Sequence, residues 1–382
     1  MFNSKLSRRQ IVSRFLALLA ILAVFTAGAL TGVSFEQRRQ GLDLGKFWHV
    51  FNLIKKNYVG DINNDQLVEG AVKGLVEGVG DPYSSYLPPS ERQSLEDELK
   101  GEFEGIGAEL TEKDQLITVV TPIADSPAEK AGLKAKDIIT KIDDTSTEGM
   151  SVNDAVTKIR GPKGSVVKLT VLRGSDLKEI NITRATIVVK SVSSKMLGEI
   201  AYIEINQFGD DTVDLAEAAV KELADKSPKA VILDLRNNPG GYLNSVTPIA
   251  GLFLPPSTIV KEKYRDGKSD ELRSTNLPLM PDTPLYVLVN SGSASAAEIL
   301  AGAFQDYKRA TLIGEKTFGK GSVQDVIDLS GRSALRITIA EWLTPNGRAI
   351  NKVGITPDVE VKDEKTDSTD PVLDKALELA KK

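Results

Sequence analysis

The chain has 382 residues, a formal net charge of −5, no cysteine and one histidine. That length suits two or three domains, and the weakly acidic balance supplies no basic face for nucleic acid. Without cysteine there are no disulfides and no thiol chemistry. Nothing in the sequence calls for a metal or a cofactor.

Lys5, Arg8, Arg9 and Arg14 precede an apolar run, residues 15–35, that carries no charge. About 20 apolar residues span a bilayer, and basic residues ahead of the run keep its N-terminus cytoplasmic and export the residues beyond it. Residues 1–36 therefore read as a cytoplasmic tail and a single-pass anchor in the cell membrane, with the rest of the chain extracytoplasmic. Ala27-Gly-Ala29 leaves a cleaved signal peptide as the alternative, although the apolar run continues beyond it.

Residues 41–99 read as helices. Phe47, Val50, Phe51 and Ile54 recur at helical spacing, as do Leu67, Ala71 and Leu75. GVGDP (78–82) and Pro88-Pro89 are expected to end elements. DPYSSY (81–86) reads as a turn with aromatic packing and is assigned no chemistry.

From residue 100 to 186 the pattern changes to short β-branched strands with Gly and Pro turns. FEGIGA (103–108), ITVV (117–120), SPAEKAG (126–132) and VVKLTV (166–171) together resemble a PDZ domain. In that setting Gly105, Ile106, Gly107 and Ala108 form a loop whose N–H groups can nest a terminal carboxylate, while the bound tail adds as a strand to the sheet edge. RGPKG (160–164) reads as a solvated basic loop, the alternative being one that faces a carboxylate or the neighbouring domain.

From 187 to 362 strands and helices alternate: 200–205, helix 214–226, 230–235, helix 243–254, 285–289, helix 296–307 and 310–314. The alternation predicts an α/β core with several parallel pairings. A polar stretch, 259–282, is either a mobile hairpin near a cleft or a surface excursion. Residues 363–382 read as a linker and a short amphipathic helix that docks or dimerises.

The chemistry concentrates in two segments of this core. VNSGSASAAE (289–298) ends an apolar strand and opens an alanine-rich helix. A serine at such a turn stands at the positive helix end, beside free N–H groups that can hold an oxyanion. Ser295 and Glu298 also fit a capping box, in which the serine only caps the helix. A cysteine nucleophile is excluded, and if Ser295 is the nucleophile a histidine base would have to be His49, which lies in an apolar stretch beside the N-terminal run. Lysine remains, because burial lowers a lysine pKa. Lys320, between Gly319 and Gly321, fits better than Lys316 beside Glu315, which reads as a solvated charge. DLRNNPGG (234–241) is a second strand-to-helix turn, whose paired glycines can aim N–H groups into a site or merely turn the chain.

VNSGSASAAE followed by FGKGSVQ (318–324) resembles the carboxyl-terminal processing (tail-specific) proteases, and the spacing of Ser295 and Lys320 agrees with that family. The resemblance implies a mixed α/β chain: membrane anchor, helical segment, PDZ domain, and a protease core of the crotonase/ClpP-like type. It implies Ser295 as nucleophile, Lys320 as base, Gln324 holding the amine through its side-chain oxygen, and the N–H groups of Gly241 and Ala296 as oxyanion hole. The expected partners are proteins or peptides bound by their C-termini and the membrane, with a homo-oligomer or regulatory partner left open. The rival readings are a PDZ adaptor whose core is inactive or partner-dependent, and a small-molecule acyl hydrolase using the same dyad.

Overall fold

The computed structural model describes residues 44–381 apart from 114, 124 and 366–368. The expected anchor, residues 15–35, lies outside the described residues. Among those described, no helix is long and apolar enough to cross a membrane. The chain divides into two units between Val72 and Lys73.

In the first unit, α1 (Gly45–Asn57) buries none of its residues. Phe47, Trp48 and Val50 are exposed, and Trp48 meets Phe47 and Phe51 edge-on. His49 is exposed on the same helix. α2 (Asn64–Glu77) starts at Asn63, whose side-chain oxygen accepts from the Asp65 and Gln66 N–H groups.

The second unit begins within α2 and continues with β1 (Ser85–Leu87) and α3 (Pro89–Leu99). Two expectations need correction here. Pro89 does not end an element: it occupies the first turn of α3, where its missing N–H has no helical partner to lose. The DPYSSY stretch is more than a turn, because Ser85, Tyr86 and Leu87 form ladder pairs with Arg336, Leu335 and Ala334.

Next come β2 (Glu102–Gly105), β3 (Ala108–Lys113), β4 (Leu116–Pro122), α4 (Pro127–Lys130), β5 (Ile138–Ile142), β6 (Thr145–Ser146) and α5 (Val152–Ile159). They are followed by β7 (Val166–Arg173), β8 (Asp176–Thr183) and β9 (Ala185–Val188). The sheet runs β3-β4-β5-β7-β8, with β6 on β5, while β2 pairs with β9. Alternation along β7 turns Val167, Leu169 and Val171 into a core with Ile117 and Ile139. β3 is an edge strand, and α5 packs against it. Arg160, expected in a solvated loop, is exposed but stacks over Phe103 with its guanidinium 4.9 Å from the ring centre. It lines a cavity of about 670 Å³ together with Asn206 and Gln207.

The α/β part comprises β10 (Val192–Leu197), β11 (Ile200–Ile205), α6 (Thr212–Ala224), β12 (Ala230–Asp234), α7 (Val246–Ala250), β13 (Thr258–Tyr264) and β14 (Ser269–Arg273). It continues with β15 (Leu285–Val289), α8 (Ala296–Asp306), β16 (Ala310–Gly314), β17 (Ser322–Asp328), β18 (Ala334–Leu343), β19 (Val359–Glu360) and α9 (Pro371–Ala380). The main sheet runs β10-β11-β12-β15-β16-β19, parallel except for β10 on β11. Val231, Leu233 and Val287 face a core closed by α6, α7 and α8. The alternate residues Ile232, Leu288 and Ile313 pack under Val372 and Ala376 of α9. The C-terminal helix therefore docks on this sheet. Its approach is fixed by Arg236, nearly buried, which reaches Asp234, Asp363 and Asp370 at 2.6, 3.1 and 2.8 Å.

A second sheet, β1-β18-β13-β14 with β17 also on β18, stands beside the first. The polar stretch 259–282 contributes its β13–β14 hairpin, and β13 buries Ile259, Val260 and Glu262.

Candidate active site

Ser295 sits between β15 and α8 with φ 54° and ψ −118°. A positive φ is uncommon for a residue with a side chain and costs about 1–3 kcal/mol, so the neighbourhood must impose it. Hydrogen bonds around the turn do so. The Ala294 N–H donates to the Asn238 carbonyl at 2.9 Å, and the Ser293 hydroxyl donates to the Leu235 carbonyl at 2.7 Å. The Ser295 N–H donates to Glu298 Oε2 at 2.9 Å, which is one half of the expected capping box.

Glu298 is fully buried, and its carboxylate does more than cap. Oε1 accepts from the Thr317 hydroxyl at 2.6 Å and the Gly319 N–H at 2.7 Å. Oε2 accepts from the Lys320 N–H at 2.9 Å as well as from Ser295. One carboxylate thus ties the backbone of the candidate nucleophile to the backbone of the candidate base. Four donors satisfy a charge that would otherwise be costly to bury. Sequence reasoning took Glu298 only as a capping residue; an acid three positions after Ser295 was the only signal.

Lys320 is half-buried, and Lys316 is exposed. The Trp342 indole N–H donates to the Lys320 carbonyl at 2.9 Å. Gly321 lies so close to Asn351 that a Cβ would come within 2.3 Å of its backbone nitrogen, so no other residue fits without moving that turn. Burial, and next the Arg336 charge, push the Lys320 ammonium below the usual lysine range, against the opposing pull of Glu298 and Asp81. Among the described residues Nζ makes no hydrogen bond, and its contact is the face of Tyr83, 5.2 Å away. Ser295 and Lys320 are therefore joined through Glu298 and not yet directly. Catalytic hydrogen bonds are often long before substrate is bound.

Gln324 is placed differently from the expectation. Its amide nitrogen donates to the Ser322 hydroxyl at 2.8 Å and to the Thr338 hydroxyl at 3.3 Å, and no bond to the Lys320 amine is formed. Thr338 passes the connection on, donating to Asp81 Oδ2 at 2.6 Å. The Asp81 stretch, assigned no chemistry from sequence, therefore forms a wall of this site.

The second turn lies directly against Ser295. A Cβ on Gly240 would stand 2.7 Å from Ser295 Cβ and 3.0 Å from the Ala296 nitrogen. Gly241 is bridged in parallel to Phe208: the Phe208 N–H donates to the Gly240 carbonyl and the Tyr242 N–H to the Phe208 carbonyl. This pairing leaves the Gly241 N–H outside the bridge, and Ala296 N–H is the first orphan donor of α8. Neither donates to a backbone carbonyl among the described residues.

Gly105 closes β2 and Ala108 opens β3, with Ile106 and Gly107 between them. The Ile106 and Gly107 carbonyls accept from Ala128 and Ile123 at 2.8 and 2.9 Å, which fixes the loop beside the edge strand.

Comparison with known proteins decides the family. Residues 199–361 match Peptidase family S41, residues 118–173 a PDZ domain, and residues 26–90 the activating protease CtpB N-terminal domain. A probable CtpA-like serine protease of Staphylococcus aureus (strain MRSA252) is 38% identical over 364 residues, covering 93% of this chain and 73% of that one. The chain belongs to peptidase family S41. A second CtpA-like relative, from Staphylococcus epidermidis (strain ATCC 12228), is 38% identical over 346 residues, 90% of this chain and 70% of that one. The structure of a photosystem II D1 C-terminal processing protease aligns with a TM-score of 0.54 at 30% identity, covering 81% of this chain and 86% of that one. This S41 chain is a mixed α/β serine peptidase with a PDZ domain.

Proposed function

We propose that the chain is a membrane-anchored serine endopeptidase that selects extracytoplasmic proteins by their C-termini and cuts them with a Ser295–Lys320 dyad. The observation that carries the reading is the Glu298 carboxylate, which holds Ser295 and Lys320 on one buried group. Neutral Lys320 takes the Ser295 proton, and Oγ attacks the scissile carbonyl. The oxyanion is received by the Gly241 and Ala296 N–H groups, which donate to no backbone carbonyl among the described residues. Protonated Lys320 then gives its proton to the leaving amine, and water opens the acyl-enzyme. Gln324 serves this site through Thr338 and Asp81, by positioning the wall over the amine.

The loop from Gly105 to Ala108 and the free edge of β3 beside α5 suit a peptide tail that adds as a strand. The test uses a peptide with a free C-terminal carboxylate and its amide. Wild-type protein should cut the free acid, and Ser295→Ala should bind it without cutting. Amidation should weaken binding to Ser295→Ala by about 1.5–3 kcal/mol in titration calorimetry, the range for hydrogen bonds to a charged group. Equal affinities would show that tails are not read by their carboxylate. Cutting by Ser295→Ala would remove that residue as nucleophile.

Residues 15–35 are the proposed anchor, resting on their length and the basic residues before them. The protein should stay with membranes after alkaline carbonate washing. Recovery of soluble protein that begins just after Ala29 would make the segment a signal peptide.

A further inference from the structure

We propose that Tyr83 is a positioning residue of the proposed Ser295–Lys320 reaction, its ring face receiving the ammonium that Lys320 becomes when it takes the serine proton. The inference rests on that dyad and adds a residue that lies far from it in sequence.

Tyr83 is fixed on both sides. Before it, Asp81 Oδ2 accepts from the Ser84 and Thr338 hydroxyls, both at 2.6 Å, and Oδ1 accepts from the Tyr83 N–H at 3.2 Å. After it, Ser84 Oγ accepts from the Thr338 N–H at 3.0 Å, and β1 pairs with β18. Burial raises Asp81, but the bonds from Ser84 and Thr338 outweigh it and hold the carboxyl below its ordinary range, so it is an ionised anchor for the strap. The ring this strap delivers stands 5.2 Å from Lys320 Nζ, within the distance at which a cation feels an aromatic face. Among the described residues the Tyr83 hydroxyl makes no hydrogen bond, so the ring is the part in use.

The timing of charge gives the ring its role. The resting amine must be neutral, and a neutral amine gains little from a π-face. When the Ser295 O–H bond breaks and the new N–H bond forms on Lys320, Oγ bonds to the substrate carbonyl carbon and the carbonyl electrons move to its oxygen. A positive charge then appears under the ring, and it leaves again when the proton passes to the departing amine. An interaction present only while this charge exists lowers the barrier without tightening substrate binding. The other charges facing Lys320 divide: Arg336 on β18 disfavours the ammonium, while Glu298 on α8 and Asp81 on the strap favour it. Both Glu298 oxygens and Asp81 Oδ2 already accept two donors each. Tyr83 is the group against the amine that is not otherwise engaged.

The experiment measures kcat and KM against pH for Tyr83→Leu and Tyr83→Phe, with Lys320→Arg assayed alongside. Leucine keeps the site apolar and removes the quadrupole. It should lower plateau kcat by about 2- to 30-fold, the span of a cation–π contact, with KM little changed. The limb that reports Lys320 should move toward acid, because the ammonium has lost a partner while burial persists. Tyr83→Phe should restore both the rate and the limb. A role in packing alone predicts the opposite shift, since admitting water returns the amine toward its ordinary pKa. An alkaline or absent shift, or a change confined to KM, overturns the inference. If Lys320→Arg stays active, the dyad itself falls, and the two failures are thereby told apart. Should Tyr83→Leu not fold, ring-fluorinated phenylalanines at position 83 keep the shape and weaken the quadrupole in steps. The limb should then move stepwise toward acid, and a limb indifferent to fluorination overturns the proposal.

Discussion

Lys320→Arg should abolish turnover, by at least about 10³-fold, while the protein folds and binds tails as before. Arginine keeps the charge and the donors but cannot give up a proton at working pH. Lys320→Ala and Ser295→Ala should be as inactive, because members of a catalytic unit fail together. Lys316→Ala should stay active, since that side chain is exposed to solvent. In the wild type, burial and the Arg336 charge lower the Lys320 pKa. Hydrolysis should therefore rise with pH along one limb and reach its plateau below the lysine range of about 10.4. Single-turnover cleavage across pH is the measurement. A Lys320→Arg variant with near-wild-type rates would show that lysine is not the base.

The parts that sequence made legible are those with local signals. Alternation along β7 and the apolar runs at β11, β12, β15 and β16 marked strands because one or both of their faces are buried. The strand-to-helix turns at 234–241 and 289–298 stood out through paired glycines and a capping pattern. What stayed hidden depends on contacts between distant segments. Nothing around Asp81 announces that its carboxylate will meet Thr338, 257 positions on. Pro88-Pro89 looks the same before a helix as after one. The bond expected from Gln324 to the amine was carried by resemblance alone; the geometry turns that amide to Ser322 and Thr338. The strained φ of Ser295 has no local mark either, because the turn is held in part by the Asn238 carbonyl on the distant 234–241 segment, which binds the preceding Ala294 N–H.

Glu298→Gln should cost both stability and catalysis, and it is the sharpest test of how the site is held. The substitution keeps size and shape but turns one acceptor oxygen into a donor nitrogen. Whichever way the amide is placed, two of the four donors now face an N–H₂ group: either Ser295 and Lys320, or Thr317 and Gly319. Leaving a buried donor unsatisfied costs about 1–3 kcal/mol, so the pair costs about 2–6 kcal/mol. At about 2–4 °C per kcal/mol for a domain of this size, Tm should drop by roughly 4–24 °C. Catalysis should suffer beyond the loss of folded protein. With the amide nitrogen toward Ser295 and Lys320, Ser295 can relax from a φ that is about 1–3 kcal/mol unfavourable; with it toward Thr317 and Gly319, the turn that carries Lys320 loses its hold instead. Turnover per folded molecule, measured below the variant's Tm, should fall by about 10²-fold, the scale of a small misplacement of reacting groups. Binding of a peptide tail should be unchanged, because β3 and α5 make no bond to this carboxylate. A Glu298→Gln protein with wild-type Tm and kcat would mean that the carboxylate does not hold the two catalytic segments together.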